Sequence, residues 1–345
     1  MRYAPHSLVA LVLVLLAGGA WAQTVTDPDQ VKTEKRAQTG MKFLSVTGSA
    51  RGAALGNTLG ALRNGTSTAL FVNPASMGEM DVRVHASAAR TQWISDIDYD
   101  FVSAAYRPGT GQYGVVGLSV VNVAYGSFFR TIRADNEEGF SDLGTYSPTA
   151  LAVGLGYARA ITDRFSIGGQ AKFVRQSLGT HPVRYGANDG LEQEEFEKSV
   201  LAYDFGVLYR TGFESLTIGM HARNFAPEVT YVRNSFELPL SLDISASMNV
   251  FDLTALSPEV HRLEIHSSFT RPRDFYEQVR VGGEYLFMET VALRAGYAYP
   301  TDQEGIHLGG GLRTSIQELG MSFDYAYSDF GVFDPINRFS VGISF

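Results

Sequence analysis

The chain has no cysteine, two tryptophans and, after residue 23, no apolar run long enough for a membrane-spanning helix. The missing cysteines exclude disulfides, thiolate metal sites and a lipid-modified cysteine at a signal cleavage site. Positive charge is in deficit: 28 Lys and Arg stand against 36 Asp and Glu, a net charge of -8. Nucleic acid is therefore excluded as a partner, because its phosphates need clustered Lys and Arg. Nucleophile-elbow, Walker and zinc-helix motifs are missing too, so no enzyme activity and no cofactor are expected. His266 stands beside Ser267 and Ser268, but neighbouring strand residues face opposite sides, so His266 and Ser267 cannot meet. The acidic stretches 135–142 and 190–198 lack the spacing of a cation-binding loop, and no metal site is expected.

What is present begins with an export signal. Arg2 supplies a weakly basic start, residues 8–16 (LVALVLVLL) an apolar core, and Ala20-Trp21-Ala22 a small-x-small cleavage site. That core is far shorter than the ~20 residues a spanning helix needs, and its position is that of a secretory signal. The expected division is a signal peptide over 1–22, a lead-in and plug over 23–80, and the main body over 81–345. Residues 24–39 are polar and mixed in charge. Residues 40–80 are rich in Gly, Ala, Ser and Leu, with room for a short helix in 49–62 and a stop at Pro74.

From Asp81 onward, period-two alternation dominates. In the last segment Phe339, Val341, Ile343 and Phe345 share one face, and Arg338, Ser340, Gly342 and Ser344 the other. Leu238, Leu240, Leu242, Ile244, Ala246 and Met248 likewise oppose Ser241, Asp243, Ser245, Ser247 and Asn249. Alternation of this kind marks strands with one apolar and one polar face. Strands are expected near 81–90, 97–107, 113–124, 148–160, 164–177, 199–210, 214–223, 238–250, 260–270, 277–287, 290–299, 305–313, 319–328 and 337–345. Their lengths suit tilted strands crossing a bilayer. The segment 113–124 loads both faces with Val and Leu, which suggests that part of its inner face meets the plug.

A soluble sandwich also alternates, its apolar faces meeting across ~10 Å. Three features favour a membrane barrel instead. The polar face mixes small residues with single charges, as at Ala152, Gly154, Gly156 and Ala158, which leaves room for a lumen or plug. Tyr and Phe gather at strand ends, as at Tyr285 with Phe287 and Tyr297 with Tyr299, like interfacial girdles. With both termini on one side, the longest connections (126–147, 179–198 and 224–237) fall together at the opposite end, the usual outer-loop pattern. The expected fold is an all-β transmembrane antiparallel barrel of about 14 strands, with an N-terminal plug containing short helices, exported to a Gram-negative-type outer membrane. Strands in lipid leave no backbone group unpaired, so the sheet must close. Outer-membrane lipid is then its first partner.

Residues 43–77 read FLSVTGSARGAALGNTLGALRNGTSTALFVNPASM. Phe43-Leu44, Gly48-x-Ala50-Arg51, Ala54-Leu55-Gly56, Ala61, and Ala69-Leu70 followed by Asn73-Pro74-Ala75 resemble the start of the PorV/PorQ family of outer-membrane proteins, related to FadL-type transporters of hydrophobic compounds. Thr66-Ser67-Thr68 and Ser76 depart from the family pattern, which often has an acidic residue before Ala-Leu and Gly after Asn-Pro-Ala. The resemblance implies a barrel with its N-terminal region folded into the periplasmic end. It also implies work with a type IX secretion system, carrying exported proteins or binding secretion-system subunits. The final strand, with Phe339, Val341, Ile343 and the terminal Phe345, resembles the signal read by the barrel assembly machinery.

The candidate residues follow. In the plug they are Arg51, Gly56, Asn73 and Pro74: either Arg51 reaches a lumen carboxylate and Asn73 holds the turn at Pro74 by an Asx-type bond, or both only stabilise the plug's own turns. By parity Lys172, Asp204, Asp243, Glu264, His266, Arg280, Glu284, Arg294 and Asp324 point inward, and Glu284 and Arg294, on neighbouring strands, are placed to pair across the lumen wall. These charges form either a polar path or, more simply, a set of pairs that holds the plug. Two functions compete: a carrier of exported proteins, towards which Phe128, Phe129, Phe140 and Tyr146 of the first long loop lean, and FadL-like transport of hydrophobic small molecules. A general porin does not fit a plugged lumen.

Overall fold

The computed structural model describes residues 39–63, 65–183, 190–231, 234–254 and 260–345. The expected signal peptide and most of the lead-in lie outside the described residues. The chain forms β1 (Val84–Gln92), β2 (Asp98–Tyr106), β3 (Val115–Ala124), β4 (Phe128–Arg133), β5 (Phe140–Tyr146), β6 (Thr149–Ala160), β7 (Phe165–Val183), β8 (Glu192–Arg210), β9 (Thr217–Phe225), β10 (Val229–Thr230), β11 (Ser235–Phe236), β12 (Ser241–Asn249), β13 (His261–Pro272), β14 (Gln278–Phe287), β15 (Val291–Tyr299), β16 (Ile306–Ile316), β17 (Leu319–Ser328) and β18 (Ile336–Ser344). Fourteen of these close a barrel in the order β1-β18-β17-β16-β15-β14-β13-β12-β9-β8-β7-β6-β3-β2. The seam joins first to last strand antiparallel, Ala88 opposite Val341. No barrel strand is left with an open edge, the condition for a sheet in hydrocarbon.

Side-chain direction follows the alternation. Along β15, Leu293, Tyr297 and Tyr299 are exposed while Arg294 and Ala298 are buried. On β18 the outward row is Phe339, Val341 and Ile343. Outside residues are large and apolar, inside residues small or charged, an inversion of the water-soluble pattern that lipid as solvent requires.

The inside is filled by residues 39–80. Their helical pieces are short: turns at Lys42–Ser45, Leu59–Ala61, Ser67–Phe71 and Pro74–Glu79, and one α-helix, α1 (Ala50–Ala54). The Ser49 side chain caps α1 by accepting from Gly52 N–H. The helix stops short of residue 62 because Gly56 and Asn57 take left-handed φ of 64° and 62°. Small residues let the plug touch the wall: at Gly296 a Cβ would collide with Gly56 N. Phe43 and Phe71 pack with Phe101, Tyr99, Val123 and Ala152 in one buried cluster, each large side chain contributing about 1.5–3 kcal/mol. Val123 and the partly buried Val121 show why β3 is apolar on both faces: one meets lipid, the other the plug.

Three differences from the alternation have physical causes. Leu238, in line with the apolar face of β12, is instead buried in the plug cluster, since the chain reaches the strand only after Pro239. The stretch 126–147 holds the hairpin β4–β5, and β7–β8 continue as a paired extension past a bulge at Ser177/Thr180. Neither segment faces a uniform solvent, so neither alternates cleanly. We call the end carrying these long connections outer. The plug is not confined to the inner end. Gly40 N–H bonds to Glu237 O at 3.1 Å in an outer connection, and Glu79 reaches Ser166 and Arg210 beside the inner turns.

Candidate functional site: the plug and its grip on the wall

Among the polar contacts between plug and wall, four anchors span the height of the lumen. The central one is Arg51 on α1. Its Nε donates to Glu284 Oε2 at 2.8 Å and its Nη2 to Glu284 Oε1 at 2.6 Å, the two-pronged geometry that makes arginine–carboxylate pairs strong. Glu284 also accepts from Arg294 Nε at 2.5 Å, and Arg294 Nη1 donates to Asp324 Oδ1 at 2.7 Å. Arg313 lies 3.5 Å from Glu284. Glu264 lies 3.9 Å from Arg51 and pairs with Arg262, while Glu289 stands 3.8 Å from Arg262 and 4.0 Å from Arg313. Four guanidiniums (Arg51, Arg262, Arg294, Arg313) thus meet four carboxylates (Glu264, Glu284, Glu289, Asp324), so the charge is balanced around the nearly buried Arg51, Glu284 and Arg294, while Arg262 and Glu289 reach solvent. Burial alone would lower the Arg51 pKa; attraction to Glu284 and their hydrogen bonds overcome this and hold it above the usual arginine range.

Asn73 is the second anchor, fully buried. Its Oδ1 accepts from Ala75 N–H at 3.1 Å, an Asx-type turn that starts the helical piece at Pro74. Its Nδ2 donates to Gly60 O at 2.7 Å and to Val207 O of β8 at 3.1 Å. One amide therefore ties two plug turns to the wall, and a Cβ at Gly206 would run into Asn73 Oδ1. Pro74 lies against Gly168 in the same way.

The other two anchors escaped the alternation argument. At the inner end Glu79 pairs with Arg210, accepts from Ser166 Oγ at 2.7 Å and lies 3.4 Å from Arg63. At the outer end Lys42 Nζ meets Asp274 Oδ2 at 2.5 Å, and Thr39 Oγ1 donates to the same carboxylate at 2.7 Å. Burial would raise the Asp274 pKa, but the bonds from Lys42 and Thr39 prevail and hold it below the ordinary carboxylate value. Glu79 and Asp274 lie in connecting segments, where face parity carries no information.

The remaining inward charges sit elsewhere in the lumen. Asp204 is 2.8 Å from Lys172 and accepts from Asn224 N–H at 2.7 Å. These contacts close a bulge where β9 slips against β8 and Asn224 takes φ 62°. Asp243 lies 3.3 Å from His221 and accepts from Thr270. Arg280 donates to Gln278 Oε1 at 2.7 Å. His266 is fully buried, its Nε2 3.6 Å from Glu264. On the opposite face Phe339, Val341, Ile343 and Phe345 are 43–54% exposed, and Phe345 exchanges backbone bonds with Val84 at the seam, 2.7 and 3.0 Å.

At the outer end the hairpins join into a platform. Tyr146 of β5 meets His181 of β7 edge-on at 4.5 Å, Arg130 of β4 lies over the Tyr146 ring at 5.5 Å, and Tyr231 bonds to Gln176 at 3.4 Å. Phe129, at the barrel end of the β4–β5 hairpin, is 79% exposed.

A closed barrel, lipid-facing outside and corked by its own N-terminal segment, is an outer-membrane β-barrel of FadL-like architecture. The chain belongs to the family described as type IX secretion system membrane protein PorP/SprF, whose sequence profile matches residues 66–341. The stretch 43–77 resembled PorV/PorQ, but the matched segment takes in only the end of that stretch and rests on the barrel. Among solved structures the fold is shared with the Pseudomonas putida toluene transporter TodX (11% identity, 87% of this chain and 98% of that one, TM-score 0.54). It is shared also with the CymD monoaromatic hydrocarbon channel (13%, 88% and 98%, 0.55) and a Pseudomonas aeruginosa FadL homologue (12%, 87% and 98%, 0.54). No curated protein matches by sequence.

Proposed function

We propose that this outer-membrane protein works as an interaction component of a type IX secretion-related system, with a PorV/PorQ-like role: it receives exported proteins on its outer platform and hands them on, without catalysis. The observation that carries this reading is the division of labour in the molecule. The lumen is filled and anchored at four points along its height, while the hairpins β4–β5 and β7–β8 stand beyond the barrel as a braced, partly apolar surface. Recovery of exported proteins sharing a C-terminal sorting domain with the tagged protein from its native membrane supports the reading. Recovery of lipid alone overturns it.

A second reading, FadL-like transport of hydrophobic small molecules, is favoured by one feature. A groove of about 690 Å³, lined by Phe205, Val207, Met220, Ile244 and Phe269, runs along the lipid-facing wall over the β8–β9 bulge. Transport would need the Lys172–Asp204–Asn224 closure to open sideways. Uptake of a hydrophobic tracer by cells that is lost when the protein is deleted would favour this reading over carriage.

A further inference from the structure

Three arginines that line the outer half of the lumen have no carboxylate within ion-pair distance among the described residues: Arg223 on β9, Arg280 on β14 and Arg338 on β18. Each has one neutral acceptor. Arg223 Nη2 donates to Leu44 O at 3.2 Å, Arg280 Nη2 to Gln278 Oε1 at 2.7 Å, and Arg338 Nη1 to Ser328 Oγ at 2.7 Å. In all three the Nε–H is buried without a hydrogen-bond partner. Arg338 is 3% exposed and lies 5.5 Å from the centre of the Trp93 ring. All three line one cavity of about 280 Å³ between plug and wall, rimmed by Trp93, Phe275 and Phe330 of the outer connections.

None of the acids that line this cavity comes within ion-pair distance of the three arginines. Asp243 is held by His221 and Thr270, Asp274 by Lys42 at 2.5 Å, and Glu304 lies 3.3 Å from His307. This contrasts with the balanced network around Arg51. Arg338 is removed from water with no paired counter-charge, which is strongly unfavourable, while Arg223 and Arg280 are partly buried, and the guanidinium fork matches carboxylate and phosphate oxygens. We propose that the cavity is a binding site for a small multivalent oxyanion, a carboxylate or a phosphate, gripped by Arg223, Arg280 and Arg338. Its volume equals that of roughly nine water molecules at ~30 Å³ each. The site opens towards the outer loops, so the anion enters from outside. This goes beyond the carrier role and its failure would leave that role untouched.

Trp93 supplies the readout, being the only tryptophan beyond residue 21. Purified protein in detergent is titrated with citrate in one arm and inorganic phosphate in another, with sodium chloride at matched ionic strength as control, and Trp93 emission is followed. A saturable change in at least one oxyanion arm, absent with chloride and weakened at least tenfold in Arg280→Gln, is expected; the responding arm tells carboxylate from phosphate. Arg280→Gln leaves the Arg338–Trp93 contact in place, and heat-modifiable migration checks its folding. A wild-type protein giving no saturable response in either arm, or a folded Arg280→Gln binding as tightly as wild type, overturns the site. If Arg280→Gln does not fold, Arg223→Gln is read by the same criterion.

Discussion

Arg51 of the plug grips Glu284 of strand β14 with two N–H groups along one edge of its guanidinium, at 2.8 and 2.6 Å, and Glu284 is itself held by the neighbouring strand through Arg294 at 2.5 Å. The plug is thus fastened to a wall charge that is already fixed. Removing one partner leaves a charge in a site poor in water, which costs about 3–5 kcal/mol. Arg51→Ala is therefore expected to free the plug while the barrel persists, seen as faster protease cleavage within 39–80 and unchanged heat-modifiable migration. Arg51→Ala with Glu284→Gln should destabilise by less than the sum of the single changes. Strict additivity in thermal unfolding would show that the two residues do not act as a pair.

Asn73 tests the second anchor. Asn73→Ala leaves Gly60 O and Val207 O without their donor in a buried site, a loss of about 1–3 kcal/mol. Gly206→Ala should displace the same turn from the other side, by collision with Asn73. Both variants are expected to unfold at lower temperature than wild type, and a midpoint within one degree of wild type in each would refute the anchor.

The outer latch depends on acidity. The folded Asp274 carboxyl is held below its ordinary value by Lys42 and Thr39, so it takes up its proton less readily folded than unfolded. Its contribution is then complete above the unfolded pKa of about 3.9 and disappears as pH falls through the lower folded value. The protection of amides at residues 40–46, the intrinsic exchange rate over the observed rate at the same pH, should fall below about pH 4 in wild type. In Asp274→Asn the protection should be low already at neutral pH and flat across the acid range; an identical pH profile of protection in the two proteins would argue against the latch.

The outward row on β18 bears on assembly. Phe345→Ser with Phe339→Ser is expected to lower the amount of folded protein in the outer membrane severalfold, while the purified variant still refolds in detergent. Equal loss in both settings would mean the row serves stability rather than recognition by the barrel assembly machinery.

The platform bears on cargo. Phe128, Phe129 and Phe140 are exposed on the hairpin β4–β5, so replacing all three by Ser should change stability by no more than about 0.5 kcal/mol per site. Co-purified exported protein should fall severalfold. Retention of the full amount would place the contact elsewhere.

Alternation along each segment determined the strands, their number and which side chains meet lipid, because in a closed sheet the face of a residue follows from parity alone. It therefore placed Asp204, Asp243, Glu264, Glu284, Arg294 and Asp324 inward. The chemistry of Asn before Pro likewise announced the turn at Asn73 and Pro74. Parity holds only where a strand has two different solvents, and it lapses in the hairpins beyond the bilayer, at Leu238 and at Glu79 and Asp274. Of the partners, alternation offered Glu284 with Arg294 on neighbouring strands, and only the tertiary structure decided the rest. Register sets Glu284 directly opposite Arg294, α1 delivers Arg51 to that pair from more than two hundred residues away in the chain, and three other arginines are left around a cavity with no carboxylate of the described residues within ion-pair distance of them. Pairing depends on shear around the barrel and on the path of the plug, which are properties of the closed structure and not of any local stretch of chain.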